Sequence, residues 1–441
     1  MMSTVTLVIE RLAFGGAGVG RVAGKACFVP FTAPGDRVRV RITSDRRSYL
    51  LAELLELLEP SSLRVSPPCP VYGNCGGCSW QHLAYGAQCA EKERIFAETL
   101  QRIARLEGDV LDPLGAAPEP FEYRSRVQFK VRWHDERLHL GFYRGGSHFV
   151  IDLPGACAIA NPRINDVCPE LRELLQRFPE RDRVPQVDLA VGDDGATLLT
   201  IHYIGQAPER ALAYFQRHRA ELPGVDGAFL QTGRKATLRP VFGIPELSYR
   251  LPDPGASNTP PLRLTFGAGA FSQVNYRQNN MLVETVLAWA TLTGRERVLD
   301  LYCGMGNFSL PLARRAAAVL GLEDFGPAIA EAQQNARANG IDNASFRCTE
   351  AQAGLEALHA DGERWDLVVL DPPRSGAREV ATLLPRLGAA QIIYVSCDPA
   401  TLARDLAILR TGGYRVVRSR AVDMFPQTYH IESVTLLEPL R

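Results

Sequence analysis

Through the first sixty residues, apolar and polar positions alternate in short runs, VTLVIERL, KACFVPF, DRVRVRI and LLAELLELL, broken by FGGAGVGRVAGK and TAPGD. Period-two alternation closed by glycine, proline and aspartate predicts short strands with tight turns, hence a small β-barrel over 1–60. The run Asp36 to Ile42 puts Arg37, Arg39 and Arg41 on one face and Val38 and Val40 on the other, with Arg46, Arg47 and Tyr49 close behind. The valine face packs inward. The arginine face is either an ordinary solvated strand or a surface that follows RNA phosphates.

SSLRVSPPCP, with three prolines in ten residues, marks the next boundary. Over 88–106 the apolar positions Ile95, Phe96, Leu100, Ile103 and Leu106 have helical spacing. Strand-like stretches (SRVQFKVRW, HLGFYR, HFVIDL, ATLLTIHYI) then dominate to about 265, which predicts a mostly β central domain, 61–265, discontinuous around the early helix. From 266 the texture becomes short apolar runs separated by helical stretches, the pattern of a doubly wound α/β domain, 266–441. Seven strands are predicted there: RVLDLYC, AVLGLED, ASFRC, DLVVLD, QIIYVSC, YRVVRSRAVD and IESVTLLE. The last two follow each other without a helix, which predicts an antiparallel hairpin at the sheet edge. The fold class is multidomain α/β.

Composition sharpens this only in places. With 441 residues, 46% hydrophobic, 22% charged and no apolar run of membrane-spanning length, the chain reads as globular, which excludes a helical membrane span and global disorder. MMSTVTLVIERL lacks the basic start and apolar core of a secretory signal, so cytoplasm is the expected location. Basic and acidic residues balance at 49 each, so any nucleic-acid surface must be local. The excess of arginine over lysine is what a GC-rich coding sequence produces, and it also suits bidentate phosphate contacts. Ten cysteines in such a chain point to metal or catalytic thiols over disulfides.

The first strand of the C-terminal domain runs into Cys303-Gly304-Met305-Gly306-Asn307, a loop whose glycines let the backbone approach a ligand at the carboxyl edge of the sheet. Asp300 precedes it, and Glu323 ends the next strand, where an acid accepts ribose hydroxyls. A pyrophosphate-binding turn requires G-x-G-x-x-G, and this loop reads G-M-G-N-F-S, so S-adenosylmethionine fits better than NAD. The fourth strand ends in Asp371-Pro372-Pro373-Arg374-Ser375-Gly376, a rigid loop directed to the same crevice.

The fifth strand ends in Ser396-Cys397-Asp398-Pro399, placing a thiol at that edge, and the last strand opens with His430-Ile431-Glu432. Thiol, carboxylate and sulfonium donor suggest one chemistry. Carbon 5 of uracil is a poor nucleophile. A thiolate adding to carbon 6 pushes electron density to carbon 5, which takes the methyl group; a base then removes the carbon-5 proton and the thiol is eliminated. Cys397 would be the nucleophile and Glu432 the base, and a base in structured RNA would have to be flipped out.

DLYCGMGNFSLPLA, LDPPRSG, VSCDPATLARDL and DMFPQTYHIESVTLLE resemble the motifs of the RNA uracil-5-methyltransferases. The resemblance covers nearly the whole chain. The N-terminal barrel looks like a TRAM domain, and the nearest likeness is to the iron-sulfur-containing branch acting on 23S ribosomal RNA. Carried over by motif, it makes Cys397 the nucleophile and Glu432 the proton acceptor. It places S-adenosylmethionine on Gln273 (in FSQVN), Tyr302, Asn307, Glu323 and Asp371, with Glu350 as a looser match for an adenine contact. Phe271 is either a neighbour of the flipped nucleotide or a core phenylalanine.

Cys69, Cys75 and Cys78 form C-x5-C-G-G-C in a proline- and glycine-rich loop that can bring three thiolates round one centre. The fourth partner is Cys89, Cys157 or Cys168 on chemistry alone; the family pattern selects Cys157, in LPGACAIANP. Four thiolates suit zinc or a [4Fe-4S] cluster, and spacing does not separate them; the resemblance favours the cluster. A radical S-adenosylmethionine centre would need C-x3-C-x2-C. Nearby, Tyr123, Arg124, Ser125, Arg126, Gln128 and Lys130 alternate with Val127, Phe129 and Val131, a basic strand edge that is either solvated or in contact with RNA.

The leading expectation is thus an S-adenosylmethionine-dependent enzyme making 5-methyluridine in 23S ribosomal RNA, as a monomer without a membrane partner. Rival readings are a transfer-RNA uridine-5 methyltransferase and a catalytically silent RNA-binding protein. A cytosine-5 enzyme typically carries a cysteine in the fourth-strand proline loop, and DPPRSG has none.

Overall fold

The computed structural model describes residues 3–106, 108–233, 237–251 and 259–440. Val38 and Val40 are fully buried, as their alternation with arginine requires. They stand in a closed barrel of five strands, β1 (Thr4–Leu12), β2 (Gly18–Val22), β3 (Lys25–Val29), β4 (Arg37–Asp45) and β5 (Tyr49–Glu59), in the order β1-β2-β3-β5-β4. Strand β2 lies in the stretch expected to be only a turn. Its glycines serve close approach: a Cβ on Gly18 would come within 2.1 Å of the Thr32 hydroxyl, and one on Gly20 within 2.3 Å of the Val8 carbonyl. The arginine face is not a free cationic surface. Arg37, Arg39 and Arg41 pair with Glu59, Glu56 and Glu53 of β5 at 2.7–2.8 Å. Register shifts in the β4–β5 ladder allow glutamates spaced by three to meet arginines spaced by two.

The early helix is α1 (Tyr85–Ala104), and its inward line includes Gln88, Lys92, Ile95, Phe96, Thr99 and Leu100; Ile103 lies at the exposed rim. A short strand, β6 (Leu111–Gly115), follows. The central sheet comprises β7 (Arg126–His134), β8 (Arg137–Tyr143), β9 (Val150–Asp152), β10 (Gln186–Val191), β11 (Thr197–His202), β12 (Gly227–Gln231) and β13 (Leu238–Gly243), ordered β13-β12-β11-β10-β7-β8-β9. Helices α2 (Pro162–Arg177) and α3 (Pro208–Arg217) pack their apolar residues against it. Strand β7 is interior to this sheet. Its polar residues, expected as a basic edge, are used internally: Arg126 donates to the Ala270 carbonyl and Gln128 to Asp188. A two-stranded ribbon, β14 (Glu246–Leu251) with β15 (Leu262–Gly267), leads into the last domain.

There, α4 (Tyr276–Trp289) precedes β16 (Arg297–Leu301), α5 (Ser309–Ala313), β17 (Ala318–Glu323), α6 (Gly326–Ala338), β18 (Ala344–Cys348), α7 (Ala351–Ala360), β19 (Leu367–Leu370), α8 (Arg378–Leu383), β20 (Gln391–Ser396), α9 (Pro399–Thr411), β21 (Tyr414–Val422) and β22 (Glu432–Pro439). All seven predicted strands form. The eight-stranded sheet runs β18-β17-β16-β19-β20-β22-β21-β6, parallel from β18 to β20. Two features differ from expectation. The final hairpin does not end the sheet, because β22 inserts beside β20, and β6 from the N-terminal half pairs in parallel with β21 as the outer strand. Helix α1 packs on α9, so α1 and β6 are built into this sheet and its helical layer rather than into the central one. No helix among the described residues is long and apolar enough to cross a membrane.

Candidate active site and cysteine cavity

Parallel strands present their carboxyl ends at one edge, and the chemistry collects there. Tyr302 (φ 62°), Gly304 (φ 53°) and Gly306 (φ 96°) turn the chain sharply after β16. Glu323 accepts hydrogen bonds from the Gly304 amide (3.2 Å) and the Phe325 amide (3.0 Å), tying the end of β17 to the glycine loop. Asp300 is fully buried and accepts from Ser309 at 2.5 Å, with its other oxygen unpartnered. Burial pushes the carboxyls of Asp300 and Asp371 up to about 7, and that of Glu323 upward. The edge therefore concentrates carboxyls, a setting that suits a ligand bearing an ammonium and a sulfonium. Glu350 is exposed at the start of α7, and burial followed by Glu350 pushes the Tyr302 phenol up to about 12.

Two of the expected cofactor residues are placed differently from these. The Asn307 amide exchanges hydrogen bonds of 2.9 Å with Asn279 of α4 and accepts the Tyr249 hydroxyl at 2.9 Å, so its side chain is committed to the protein. Gln273 is half-buried between β15 and α4, in a segment anchored to the 423–431 loop by Asn275, which donates to the Met424 carbonyl (3.2 Å). Phe271, left open between core and nucleotide neighbour, is 73% exposed and so is not a core residue.

Ser396 faces Ser433 across the antiparallel β20–β22 pair, and Cys397 and Glu432, the residues next to them, lie close enough for Glu432 to raise the thiol. Burial, then Glu432 and Asp371, push the Cys397 thiol up to about 12, while Arg374 pulls it down. Burial, then Asp371, drives Glu432 well above the usual carboxylate range, again against Arg374. Burial and Arg374 hold the His430 imidazole down at about 4, hence neutral. A thiol, a buried carboxyl and one guanidinium thus share the mouth of the crevice. This set can add a sulfur nucleophile and move a proton.

Sequence reading missed the frame that fixes the 423–431 loop before Glu432. Gln427 has φ 67°, and its carbonyl accepts from the Ser79 and Trp80 amides at 3.0 Å each. Its side chain and amide pair with the Gln88 amide group at 2.9 and 3.0 Å. Lys92 and Asp423, both fully buried, form an ion pair at 2.5 Å, and Tyr85 donates to the other Asp423 oxygen at 2.9 Å. The signal was present in α1: Gln88 and Lys92 continue the helical line of Ile95 and Thr99, polar residues on a buried stripe.

Four thiols meet elsewhere. Cys69, Cys75, Cys78 and Cys157 are unpaired and line one cavity of about 290 Å³ with Val71, Gln81 and Arg124; Cys89 and Cys168 do not line it. Burial and mutual repulsion raise Cys75 to about 11 and Cys78 to about 12, and burial raises Cys157. Among the described residues, no group of three Cys, His, Asp or Glu side chains closes tightly enough to grip a single metal ion. The cavity's lining offers four thiols and no carboxylate or imidazole.

Two family profiles match. The one described as tRNA (Uracil-5-)-methyltransferase covers residues 84–440, and the one described as tRNA (uracil(54)-C(5))-methyltransferase, TRAM domain, covers residues 5–63. A Pseudomonas aeruginosa protein named 23S rRNA (uracil(1939)-C(5))-methyltransferase RlmD is 38% identical over 98% of this chain and 93% of its own length. An uncharacterised RNA methyltransferase of Thermosynechococcus vestitus is 37% identical over 99% and 98%. The crystal structure of Pyrococcus abyssi tRNA (uracil-54, C5)-methyltransferase with S-adenosyl-L-homocysteine superposes with a TM-score of 0.74 at 26% identity, covering 98% of this chain and 99% of that one. With a family profile spanning residues 84–440 and relatives matched along nearly their whole length, this protein belongs to the S-adenosylmethionine-dependent RNA uracil-5-methyltransferase family.

Proposed function

We propose that this protein methylates carbon 5 of a uridine in 23S ribosomal RNA. The observation that carries the reading is the closeness of Cys397, just past the carboxyl end of β20, to Glu432, the first residue of the antiparallel β22. Relatives at 35–38% identity over nearly the whole chain, named for the 23S substrate, support ribosomal over transfer RNA. Arg374, the cation that lowers both Cys397 and Glu432, favours the thiolate. The Cys397 sulfur bonds to carbon 6, and the electron pair moves toward carbon 5. Bound S-adenosylmethionine supplies the methyl group, and Tyr302, Glu323, Glu350, Asp371, Gln273 and the backbone around Asn307 are the groups that would hold it. Glu432, in its ionised form, takes the carbon-5 proton, the carbon 5–carbon 6 double bond re-forms, and the carbon–sulfur bond breaks to return the Cys397 thiolate. Cys69, Cys75, Cys78 and Cys157 would hold a [4Fe-4S] cluster that positions the chain and takes no part in methyl transfer.

The test is transfer of labelled methyl from S-adenosylmethionine to unmodified 23S and transfer RNA, with anaerobically prepared protein and product mapping by mass spectrometry. Label on carbon 5 of a 23S uridine is expected. Label on transfer RNA alone would replace the substrate, and label on neither would overturn the reaction.

A further inference from the structure

The loop joining β8 to β9 carries an aromatic and basic tip that the reaction does not use. Phe149 is 62% exposed, and the Arg144 guanidinium carbon lies 5.1 Å from its ring centroid. The Arg144 amide donates to the Phe149 carbonyl at 2.9 Å, so the backbone holds the pair together. Beside them, Tyr143 meets His148 edge-on at 5.3 Å, and the Lys130 ammonium lies 5.3 Å from the Tyr143 ring centroid. On the barrel, Arg37, Arg39 and Arg41 are each matched by a glutamate. Among the described residues, Arg144 has no carboxylate partner, so its charge remains available.

The tip is also tied to the catalytic edge. The Gly76 amide donates to the Tyr143 carbonyl at 2.9 Å, and a Cβ on Gly76 would come within 3.0 Å of both that oxygen and the Gly145 nitrogen. Three residues further on, the Ser79 amide grips the Gln427 carbonyl of the loop that leads to Glu432. Three residues span at most roughly 10 Å. One short stretch of the cysteine loop therefore holds both the strand end that carries the tip and the loop that leads to Glu432.

We propose that Phe149, backed by Arg144, is a stacking platform for a base of the single-stranded RNA flanking the target uridine, with Arg144 meeting its phosphates. Every base has a π face, and stacking on an aromatic ring beside free cations is how single strands are held without sequence readout. The exposed ring, its cationic flank and its fixed link to the Glu432 loop carry the assignment. It rests on RNA being the substrate, as proposed above.

The test uses the holoprotein and its Phe149→Ala, Phe149→Trp and Arg144→Ala variants, with iron content and S-adenosylmethionine affinity as controls on the cysteine loop and crevice. The RNA KM and Kd should rise roughly 5- to 150-fold for Phe149→Ala, with kcat at saturating RNA unchanged and Phe149→Trp restoring affinity. The difference should vanish on RNA trimmed of the nucleotides flanking the target. Unchanged RNA affinity on long RNA, or a loss that persists on trimmed RNA, would overturn the platform. A defect seen only with protein-bearing ribosomal particles would overturn it in favour of a protein-docking face. If wild type methylates no RNA, the reaction reading fails, and the RNA affinities of the same variants still decide the platform.

Discussion

Cys397 and the four cavity cysteines are the same functional group in two settings, and the difference lies in what shares their space. Cys397 faces Glu432 and Asp371 with Arg374 beside it, so its proton has neighbours that respond to it and its charge has one cation to answer it. Cys75 and Cys78 are raised by burial and by other thiols, Arg124 being the cation lining their cavity. The first setting suits the carbon–sulfur bond formation proposed for it. The second gathers four thiols and no carboxyl, the donor set that the proposed [4Fe-4S] cluster would take. Both settings raise the thiol, so on the proposed reading the neighbours, and not the value, separate a nucleophile from a metal ligand.

Substitution should separate them most sharply. Cys397→Ala is expected to abolish methyl transfer while leaving iron content and RNA affinity intact, measured by label incorporation and metal analysis. Glu432→Gln should slow turnover by about 10²- to 10⁴-fold and let a covalent RNA–protein species build up on denaturing gels, because proton removal fails after the carbon–sulfur bond has formed. Removing that carboxyl should also lower the Cys397 thiol's pKa, seen as faster alkylation near neutral pH. Cys157→Ser should do the converse of Cys397→Ala: iron is lost and the melting temperature falls, while S-adenosylmethionine affinity changes little.

A smaller effect separates the carboxyls from the thiols by pH. Asp300 is pushed up to about 7 by burial, well above its unfolded value of about 4. The neutral folded form therefore contributes stability that is fully present below about pH 4 and is lost as pH rises through about 7. The ligand-free protein should melt lower at pH 8.5 than at pH 6, and Asp300→Asn should flatten that slope, worth on the order of a few kcal/mol at the alkaline end. Least affected should be Glu350→Gln: an exposed carboxyl at the start of α7 should shift S-adenosylmethionine affinity by less than about tenfold, or about 1.4 kcal/mol, by calorimetry.

What could be read from the sequence follows from how locally each feature is determined. The seven strands from Arg297 to Pro439 were legible because their apolar runs lie at the ends of separate helical stretches. The pairing of Cys397 with Glu432 was legible as chemistry, and its geometry follows from β22 lying beside β20. Strand β6, LDPLG, was not legible, because a short segment containing proline becomes a strand only through β21, some three hundred residues away. Neither was β2, whose glycines signal a turn until the crowding by Thr32 and Val8 is seen. The arginines of β4 read as a basic face because their glutamate partners recur with a period of three, and only bulges bring the two periods into register. The frame of Gln88, Lys92, Asp423 and Gln427 joins positions more than three hundred residues apart, so only the polar stripe on α1 hinted at it.

The claim that Cys397 forms the covalent bond can be tested directly with target RNA carrying 5-fluorouridine, in the presence of S-adenosylmethionine. Fluorine on carbon 5 cannot leave as a proton does, so the final elimination stalls with sulfur still on carbon 6. Digestion and mass spectrometry of the trapped complex should find the nucleotide on the peptide containing Cys397, with its carbon 5 methylated. A nucleotide on any other residue, or no trapped complex from protein that methylates ordinary RNA, would contradict the account.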